Sequence, residues 1–150
     1  MNKDIIRISI INGPNLNLLG IRETAIYGVR SWDEIEKNIL TRFHNSPIEL
    51  LFYQSNHEGD IVNYIQKNIN YVDGIVINPA SLSANGYSIL EALNSKPIPF
   101  IEVHMSNIYT RKEWHSNTIF AEYSVGQICG FGDFVYRLGI LAIINYLNLK

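Results

Sequence analysis

Apolar segments rich in β-branched residues recur along this chain of 150 residues and restrict the folds that it can adopt. We predict strands at Ile5–Ile11, Ile48–Tyr53, Gly74–Asn78 and Ile98–Val103, with a weaker one at Tyr123–Cys129. Between the strands, apolar residues repeat at helical spacing, at Trp32, Ile35, Ile39 and Phe43 and again at Ile61, Ile65 and Ile69. Strands that alternate with helices build a parallel sheet covered by helices on both faces. The sequence therefore predicts an α/β chain with one domain over residues 1–150.

Helix starts are also marked in the sequence. The capping-box pattern, in which Ser or Thr precedes Glu by three positions, occurs at Ser31, Ser55, Ser88 and Thr110. The final segment, Phe134–Leu149, is apolar almost all round, so we expect a helix that is buried on more than one side. Five strands with such helices between them favour a flavodoxin-like, doubly wound parallel sheet.

Composition excludes several classes of function. The formal net charge is −2, so no basic surface points to nucleic acid or to an anionic membrane. The apolar run at Ile5–Ile11 contains Arg7 and is too short for a signal-peptide core or a membrane span. Cys129 is the single cysteine, which excludes an intrachain disulfide and fits a reducing compartment. We expect a cytoplasmic protein.

Polar side chains gather where the predicted strands end. Ligands of doubly wound sheets bind beyond the carboxyl ends of the strands, which here carry Asn12, Asn78, Glu102 and His104. Asn12 and Asn78 lie close to prolines, so they suit either a turn or a ligand contact. Strand alternation puts Glu102 and His104 on one face. The carboxylate can orient the imidazole as a general acid, or the two can form a structural ion pair.

The segment Asn12–Gly28 follows the first strand and has no sustained helical or strand period. An irregular segment of this length in a small domain is usually disordered or functional, and we predict a lid over the site. It carries Arg22 and Tyr27, and tyrosine acts as a base near pH 7 only when a nearby cation stabilises its anion. The alternative for Tyr27 is an aromatic anchor packed under the loop.

Other chemistries lack their sequence patterns. The chain has no GxxxxGK[ST] or GxGxxG motif, so a glycine loop for phosphate or dinucleotide binding is not supported. No His, Cys or Asp cluster has metal-ligand spacing, and Cys129 has no obvious activating partner. We expect no metal and no cofactor.

Four motifs follow one another along nearly the whole chain. They are NGPNLNLLGIRE…YG (Asn12–Gly28), QSNHEG (Gln54–Gly59), INP (Ile77–Pro79) and IEVHMSN (Ile101–Asn107), followed by Arg111. Together they resemble the type II 3-dehydroquinate dehydratase family. The resemblance implies cofactor-free anti elimination of water from a cyclic 3-keto acid through an enolate. It also implies a homo-oligomer, commonly a dodecamer built of trimers.

The same resemblance assigns roles to individual residues. Tyr27 would remove the proton alpha to the ketone, with Arg22 and Arg111 favouring the tyrosinate. His104, oriented by Glu102, would protonate the departing hydroxyl. Asn12 would hold the water that stabilises the enolate, and Asn78 would contact the carbon bearing the hydroxyl. The backbone N–H groups of Met105 and Ser106 would bind the carboxylate.

Departures from the family pattern fall together on the side that recognises the ring hydroxyls. Ala84 stands where the family has histidine, Glu91 where it has an aspartate that reaches a neighbouring subunit's site, and His115 where it has a second arginine. Asn85 and His115 could replace the missing donors, which would leave the substrate unchanged. The alternatives are a related cyclic hydroxy-keto acid as substrate, because loss of a hydroxyl contact relaxes discrimination, or a relative that binds without catalysis.

Overall fold

The fold is a single parallel sheet with helices on both faces. A computed structural model describes residues 5–148. Its strands, in the order β2-β1-β3-β4-β5, are β1 (Ile6–Asn12), β2 (Ile48–Gln54), β3 (Gly74–Asn78), β4 (Phe100–His104) and β5 (Gly126–Cys129), and every neighbouring pair is parallel. The helices are α1 (Thr24–Tyr27), α2 (Trp32–Phe43), α3 (Glu58–Asn68), α4 (Tyr87–Asn94), α5 (Glu113–Ser116) and α6 (Phe134–Asn148). The predicted sheet is confirmed.

Two apolar cores, one on each face, hold the sheet between helices. On one face, α2 and α6 pack Trp32, Ile35 and Ile140 against β-strand residues that include Ile8 and Val103. On the other, α3 and α4 pack residues such as Ile61, Ile65 and Ile89 against Ile11 and Ile77. At about 25 cal/mol per Å² of apolar surface, this burial is the main term that stabilises the fold.

Strand boundaries differ from the predicted ones by more than one residue at two places. The strand expected at Ile98–Val103 begins at Phe100, because Pro97 and Pro99 lack the backbone N–H that a strand ladder uses. The strand expected from Tyr123 begins only at Gly126, since Tyr123 and Ser124 turn back and donate their N–H groups to the carbonyl of Phe120.

Only one of the four predicted capping boxes forms. Ser31 and Glu34 exchange both bonds at the start of α2. The other three predictions are wrong: α3 begins after His57, α4 after Gly86 and α5 after Lys112. A pattern of two residues three positions apart cannot by itself determine where a helix starts, because tertiary contacts compete for the same side chains. The Ser55 hydroxyl, for example, donates to Asp60 instead.

The last helix is buried mainly along one side within this chain. Val135, Tyr136, Gly139, Ile140 and Ile143 face the sheet, whereas Phe134 and Leu141 are exposed. The expected burial on more than one side is therefore wrong for the single chain. Leu149, the predicted end of the helix, lies outside the described residues. Over residues 5–148, no helix is long and apolar enough to cross a membrane.

The segment 12–28 contains more regular structure than its sequence pattern indicates. Leu16–Leu18 form a 3-10 turn, and Thr24–Tyr27 form the single turn of α1. Leu16 and Leu19 are buried and anchor the first half, whereas the residues of α1 include no buried side chain.

Candidate active site

A cavity of 180 Å³ lies at the carboxyl ends of the central strands, where the sequence predicted a site. Three groups of residues line it: the segment 12–28, the ends of β3 and β4 with the residues that follow them, and α5. The lining side chains with chemical interest are Arg22, Tyr27, Asn78, Ser83, His104, Ser106, Arg111 and His115. The topology therefore brings together residues that lie far apart in the sequence.

Glu102 and His104 form a buried pair at the end of β4. Because alternate residues of a strand share a face, both side chains point to the same side, as predicted, and Glu102 Oε1 lies 2.6 Å from His104 Nε2. Glu102 has no exposed surface and also accepts hydrogen bonds from the Thr118 hydroxyl (2.6 Å) and from Gln127 Nε2 (3.1 Å). Three donors on one buried carboxylate fix its position and hold the imidazole in a single orientation.

Tyr27 reaches the cavity from α1 and meets two arginines. Its hydroxyl accepts a hydrogen bond from an Arg111 terminal nitrogen at 2.8 Å, and the same nitrogen donates to Ser106 Oγ at 3.3 Å. The Arg22 guanidinium lies over the Tyr27 ring, 4.8 Å from its centroid, and is paired with Glu23 at 3.1 Å. Of the two arginines, Arg111 is the one bonded to the phenolic oxygen.

A buried tyrosine joins the two strand-end asparagines. Tyr136, on α6, donates its hydroxyl proton to Asn12 Oδ1 and accepts from Asn78 Nδ2, each at 2.9 Å. Asn78 Oδ1 accepts from the Ala80 N–H at 3.2 Å, so Asn78 makes the predicted turn contact and also lines the cavity. Burial raises the pKa of Tyr136, which keeps its hydroxyl protonated.

Close backbone contact holds the Asn12 and Asn78 segments together. The Gly13 N–H donates to the Asn78 carbonyl at 2.8 Å, and a Cβ on Gly13 would lie 2.4 Å from the Pro79 carbonyl oxygen. Only glycine fits there. Ala80, two residues after Asn78, has φ of 52°, a left-handed conformation that is strained for a residue with a side chain.

The residues that depart from the family pattern do not all reach the cavity. His115 lines it and stacks on Trp114, with ring centroids 3.5 Å apart. Burial, then the positive charge of Arg111, lowers the pKa of His115. Ala84, Asn85 and Glu91 do not line the cavity of this chain, and Glu91 is exposed.

The remaining predicted contacts lie where β4 ends. Met105 is buried and Ser106 half-buried, and both line the cavity. Over residues 5–148, no group of three or more His, Cys, Asp and Glu side chains is placed to hold a metal ion.

Sequence reasoning missed the residues that hold the strand-end side chains in place. Thr118, Gln127 and Tyr136 contact Glu102, Asn12 or Asn78 across 16 to 124 positions of sequence. Tyr136 had a weak signal, since it is a polar-tipped side chain in an otherwise apolar segment and such a group needs a partner when buried. Thr118 and Gln127 had none.

Comparison with known proteins identifies the family. Residues 6–144 match the family model described as dehydroquinase class II. This chain belongs to the class II dehydroquinase family. The 3-dehydroquinate dehydratase of Aliarcobacter butzleri is 45% identical over 142 residues, which are 95% of this chain and 87% of that protein. The enzyme of that name from Clostridium acetobutylicum is also 45% identical, over 95% of this chain and 99% of its own.

A solved class II dehydroquinase shares the architecture. The crystal structure of the type II dehydroquinase from Butyrivibrio crossotus superimposes with a TM-score of 0.90 at 40% identity, covering 93% of this chain and 98% of the other. The family resemblance and the flavodoxin-like fold inferred from the sequence are therefore confirmed.

Proposed function

We propose that this chain is a type II 3-dehydroquinate dehydratase, which eliminates water from 3-dehydroquinate to give 3-dehydroshikimate through an enolate. The observation that carries the proposal is that one cavity in a class II dehydroquinase fold receives both Tyr27, bonded to Arg111, and His104, bonded to buried Glu102. These are a candidate base and a candidate acid, which an elimination needs together.

In the first step, the Tyr27 phenolate takes the proton alpha to the ketone. The C–H electron pair forms the carbon–carbon double bond, and the carbonyl π pair moves to the oxygen to give the enolate. The positive charge of Arg111, 2.8 Å from the phenolic oxygen, stabilises the anionic base. Arg22 over the ring adds a second positive charge.

In the second step, the enolate collapses, the bond from carbon to the hydroxyl breaks, and His104 gives the leaving oxygen a proton so that water departs. Nε2 of His104 is engaged with Glu102, which leaves Nδ1 to serve the substrate. The Glu102 carboxylate stabilises the positively charged imidazole before the transfer.

We also propose that residues 12–28 act as a lid that delivers Tyr27 and Arg22. Support comes from the contrast within this segment, where Leu16 and Leu19 are anchored in the core but Ile21 is 82% exposed. A segment with few buried contacts opens at low free energy.

A homo-oligomer in the cytoplasm completes the proposal. Exposed Phe131, Phe134 and Leu141 offer apolar surface for subunit contacts, and exposed Glu91 occupies the position that reaches a neighbour's site in the family. Substrate and other subunits are the partners proposed, with no nucleic acid and no membrane. Sedimentation equilibrium measures the assembly directly.

A second candidate is the dehydration of a cyclic hydroxy-keto acid with altered ring hydroxyls. The observation in its favour is His115, which lines the cavity and has a buried Nδ1 without a partner among the described residues. Replacing His115 by arginine and Ala84 by histidine would raise kcat/KM for 3-dehydroquinate if this candidate holds, and would leave it unchanged if the departures are neutral.

The decisive test is turnover. Wild-type protein mixed with 3-dehydroquinate is expected to generate an absorbing conjugated enone. Tyr27→Phe should lower kcat by about 10²- to 10⁴-fold, because the base is lost while the ring is kept. Tyr123→Phe, which alters an exposed tyrosine, is the matched control and should retain full activity.

The other outcomes separate the alternatives. Binding of 3-dehydroquinate without turnover would favour a non-catalytic relative. Absence of binding, with dehydration of an analogue altered at the ring hydroxyls, would favour the second candidate.

A further inference from the structure

Four polar groups, two of which line the cavity, form a chain in which every hydrogen bond runs in one direction. The Ala80 N–H donates to Asn78 Oδ1, Asn78 Nδ2 to the Tyr136 hydroxyl, and the Tyr136 hydroxyl to Asn12 Oδ1, at 3.2, 2.9 and 2.9 Å. Asn12, Asn78 and Tyr136 are each at most 3% exposed. We call this set of contacts the asparagine relay.

The direction of the asparagine relay follows from its first member. A backbone N–H can only donate, so Ala80 requires the oxygen of the Asn78 amide and turns Asn78 Nδ2 toward Tyr136. The Tyr136 hydroxyl then accepts from Asn78 and has its single proton left for Asn12 Oδ1. The orientation of each carboxamide is thereby fixed by the network.

The asparagine relay ends in an unused donor. Asn12 Nδ2 is buried and has no hydrogen-bond partner among the described residues. A buried donor without a partner costs about 1–3 kcal/mol, a cost that a bound group accepting from it would remove. Asn78 and Ala80, at the other end, line the cavity itself.

We propose that Tyr136 is a positioning residue, which orients the Asn12 carboxamide so that Nδ2, which does not line the cavity, donates to a water that bridges it to the enolate oxygen. This inference rests on the proposed function, because it assigns the donor to the anion formed in that reaction. A donor held in place before charge develops stabilises the transition state more than the ground state, so its loss lowers kcat more than it changes KM.

Tyr136 suits this task because its surroundings prevent it from turning. Its ring packs against Trp32 at 5.1 Å between centroids, and its hydroxyl is fully buried. It does not line the cavity, so a loss of activity on mutation cannot come from a lost substrate contact.

A double-mutant cycle tests the inference. Tyr136→Phe keeps the ring and removes both relay bonds, and should lower kcat roughly 10- to 100-fold with KM changed less than about threefold. In an Asn12→Ala background, the same change should lower kcat less than about twofold, because Tyr136 acts through Asn12.

A matched control separates positioning from a general loss of packing. Tyr64→Phe removes the hydroxyl of a half-buried tyrosine on α3, which is bonded to Ser9 Oγ of β1 at 2.9 Å and does not line the cavity. It should leave kcat unchanged. Wild-type kcat in Tyr136→Phe, or an equal loss with and without Asn12, would overturn the inference.

Two further measurements cover the ways in which kinetics could fail. If Tyr136→Phe does not fold, Tyr136→4-aminophenylalanine is the second variant, because it keeps the ring and an N–H donor. We expect its kcat to lie within about tenfold of the wild-type value. A larger loss of kcat in the folded variant contradicts the asparagine relay. The second measurement needs no substrate, so it stands even if 3-dehydroquinate is not turned over. The side-chain amide resonance of Asn12 should exchange slowly in wild type and fast in the variant that lacks the hydroxyl, and equal exchange rates overturn the relay.

Discussion

The two halves of the site are held by the fold in opposite ways. Glu102 and His104, the proposed acid half, lie on an inner strand, are at most 6% exposed and are fixed by three donors to one carboxylate. Tyr27, the proposed base half, ends a four-residue helix with no buried residue, and its hydroxyl accepts one bond, from Arg111. A rigidly held candidate acid thus shares the cavity with a candidate base on a weakly anchored segment.

The difference follows from where each half lies in the fold. A buried charge is tolerated only if it is fully bonded, so Glu102 requires a complete and rigid environment. The tyrosine instead ends a four-residue helix without a buried residue, and the neighbouring pair of Arg22 with Glu23 is partly exposed. We expect a base held in this way to withdraw when substrate enters and to return for the reaction.

The largest expected effect is on amide hydrogen exchange. The N–H groups of Ile26, Tyr27 and Gly28 are all hydrogen-bonded, like the N–H groups of a paired strand. Fast exchange at these three amides would therefore report opening of the segment, and not a lack of hydrogen bonds in the closed state. We expect β4 amides to exchange at least about a thousandfold more slowly than these three, since core strands open only near the global free energy of unfolding. The amide of Ile35, which is hydrogen-bonded in the first turn of α2, is the control for exchange from a helix that is packed against the core.

Mass spectrometry or NMR can measure the exchange. Similar protection at β4 and at residues 26–28 would break the comparison, because the base would then be as firmly held as the acid.

Next in size is the effect of Glu102→Gln on stability and activity. The new NH₂ group would face one of three donors, so the free energy of unfolding should fall by about 1–3 kcal/mol. Loss of the charge beside His104 should also lower kcat more than about tenfold. Denaturant titration and the enone assay measure the two effects.

Arg22→Gln is the matched change in the base half. Because the Arg22 pair with Glu23 is partly exposed, removing it should change the free energy of unfolding by less than about 0.5 kcal/mol. A destabilisation as large as that of Glu102→Gln would show that both halves are equally part of the folded core.

The smallest expected effect is a pH dependence from His115, beside Arg111. Folding lowers the pKa of His115, through burial and then the Arg111 charge, so the unfolded chain binds the proton more readily. The stabilisation from neutral His115 is therefore present above the unfolded pKa, about 6.5, and is lost as pH falls through the lower folded value. Thermal unfolding at pH 7.5 and pH 5 should differ less for His115→Gln than for wild type.

His44→Gln, a change at the exposed end of α2, is the control and should retain the wild-type pH dependence. If the difference in thermal stability between pH 7.5 and pH 5 is the same in His115→Gln as in wild type, the side of the cavity that His115 lines is open to water. The base half would then also be more solvated.

The sequence predicted the sheet and the polar side chains at its strand ends better than the residues that hold those side chains in place. Apolar runs and helical spacing identified five strands in a parallel sheet, since each pattern depends on residues a few positions apart. The strand-end rule then pointed to Asn12, Asn78, Glu102 and His104. Tyr136 and Gln127 could not be found in this way, because their partners lie 25 to 124 positions away.

Short patterns also misled where a tertiary contact prevailed. Ser88 fits a capping box, yet it lies inside α4 and its N–H donates to Glu58 at the start of α3. Periodicity likewise failed in the segment 12–28, because a four-residue helix is shorter than the repeat needed to detect it.

Tyr136 belongs to the last helix, 124 positions after the asparagine that it contacts. During synthesis, the strands that carry Asn12, Asn78, Glu102 and His104 therefore all emerge from the ribosome before the residue that joins two of them. If Tyr136 orients Asn12, a nascent chain that has already formed its sheet still lacks its full activity. Full activity would then appear only once α6 has packed against the sheet, so the packing of a helix that contributes no residue to the cavity would set the rate of the reaction within it.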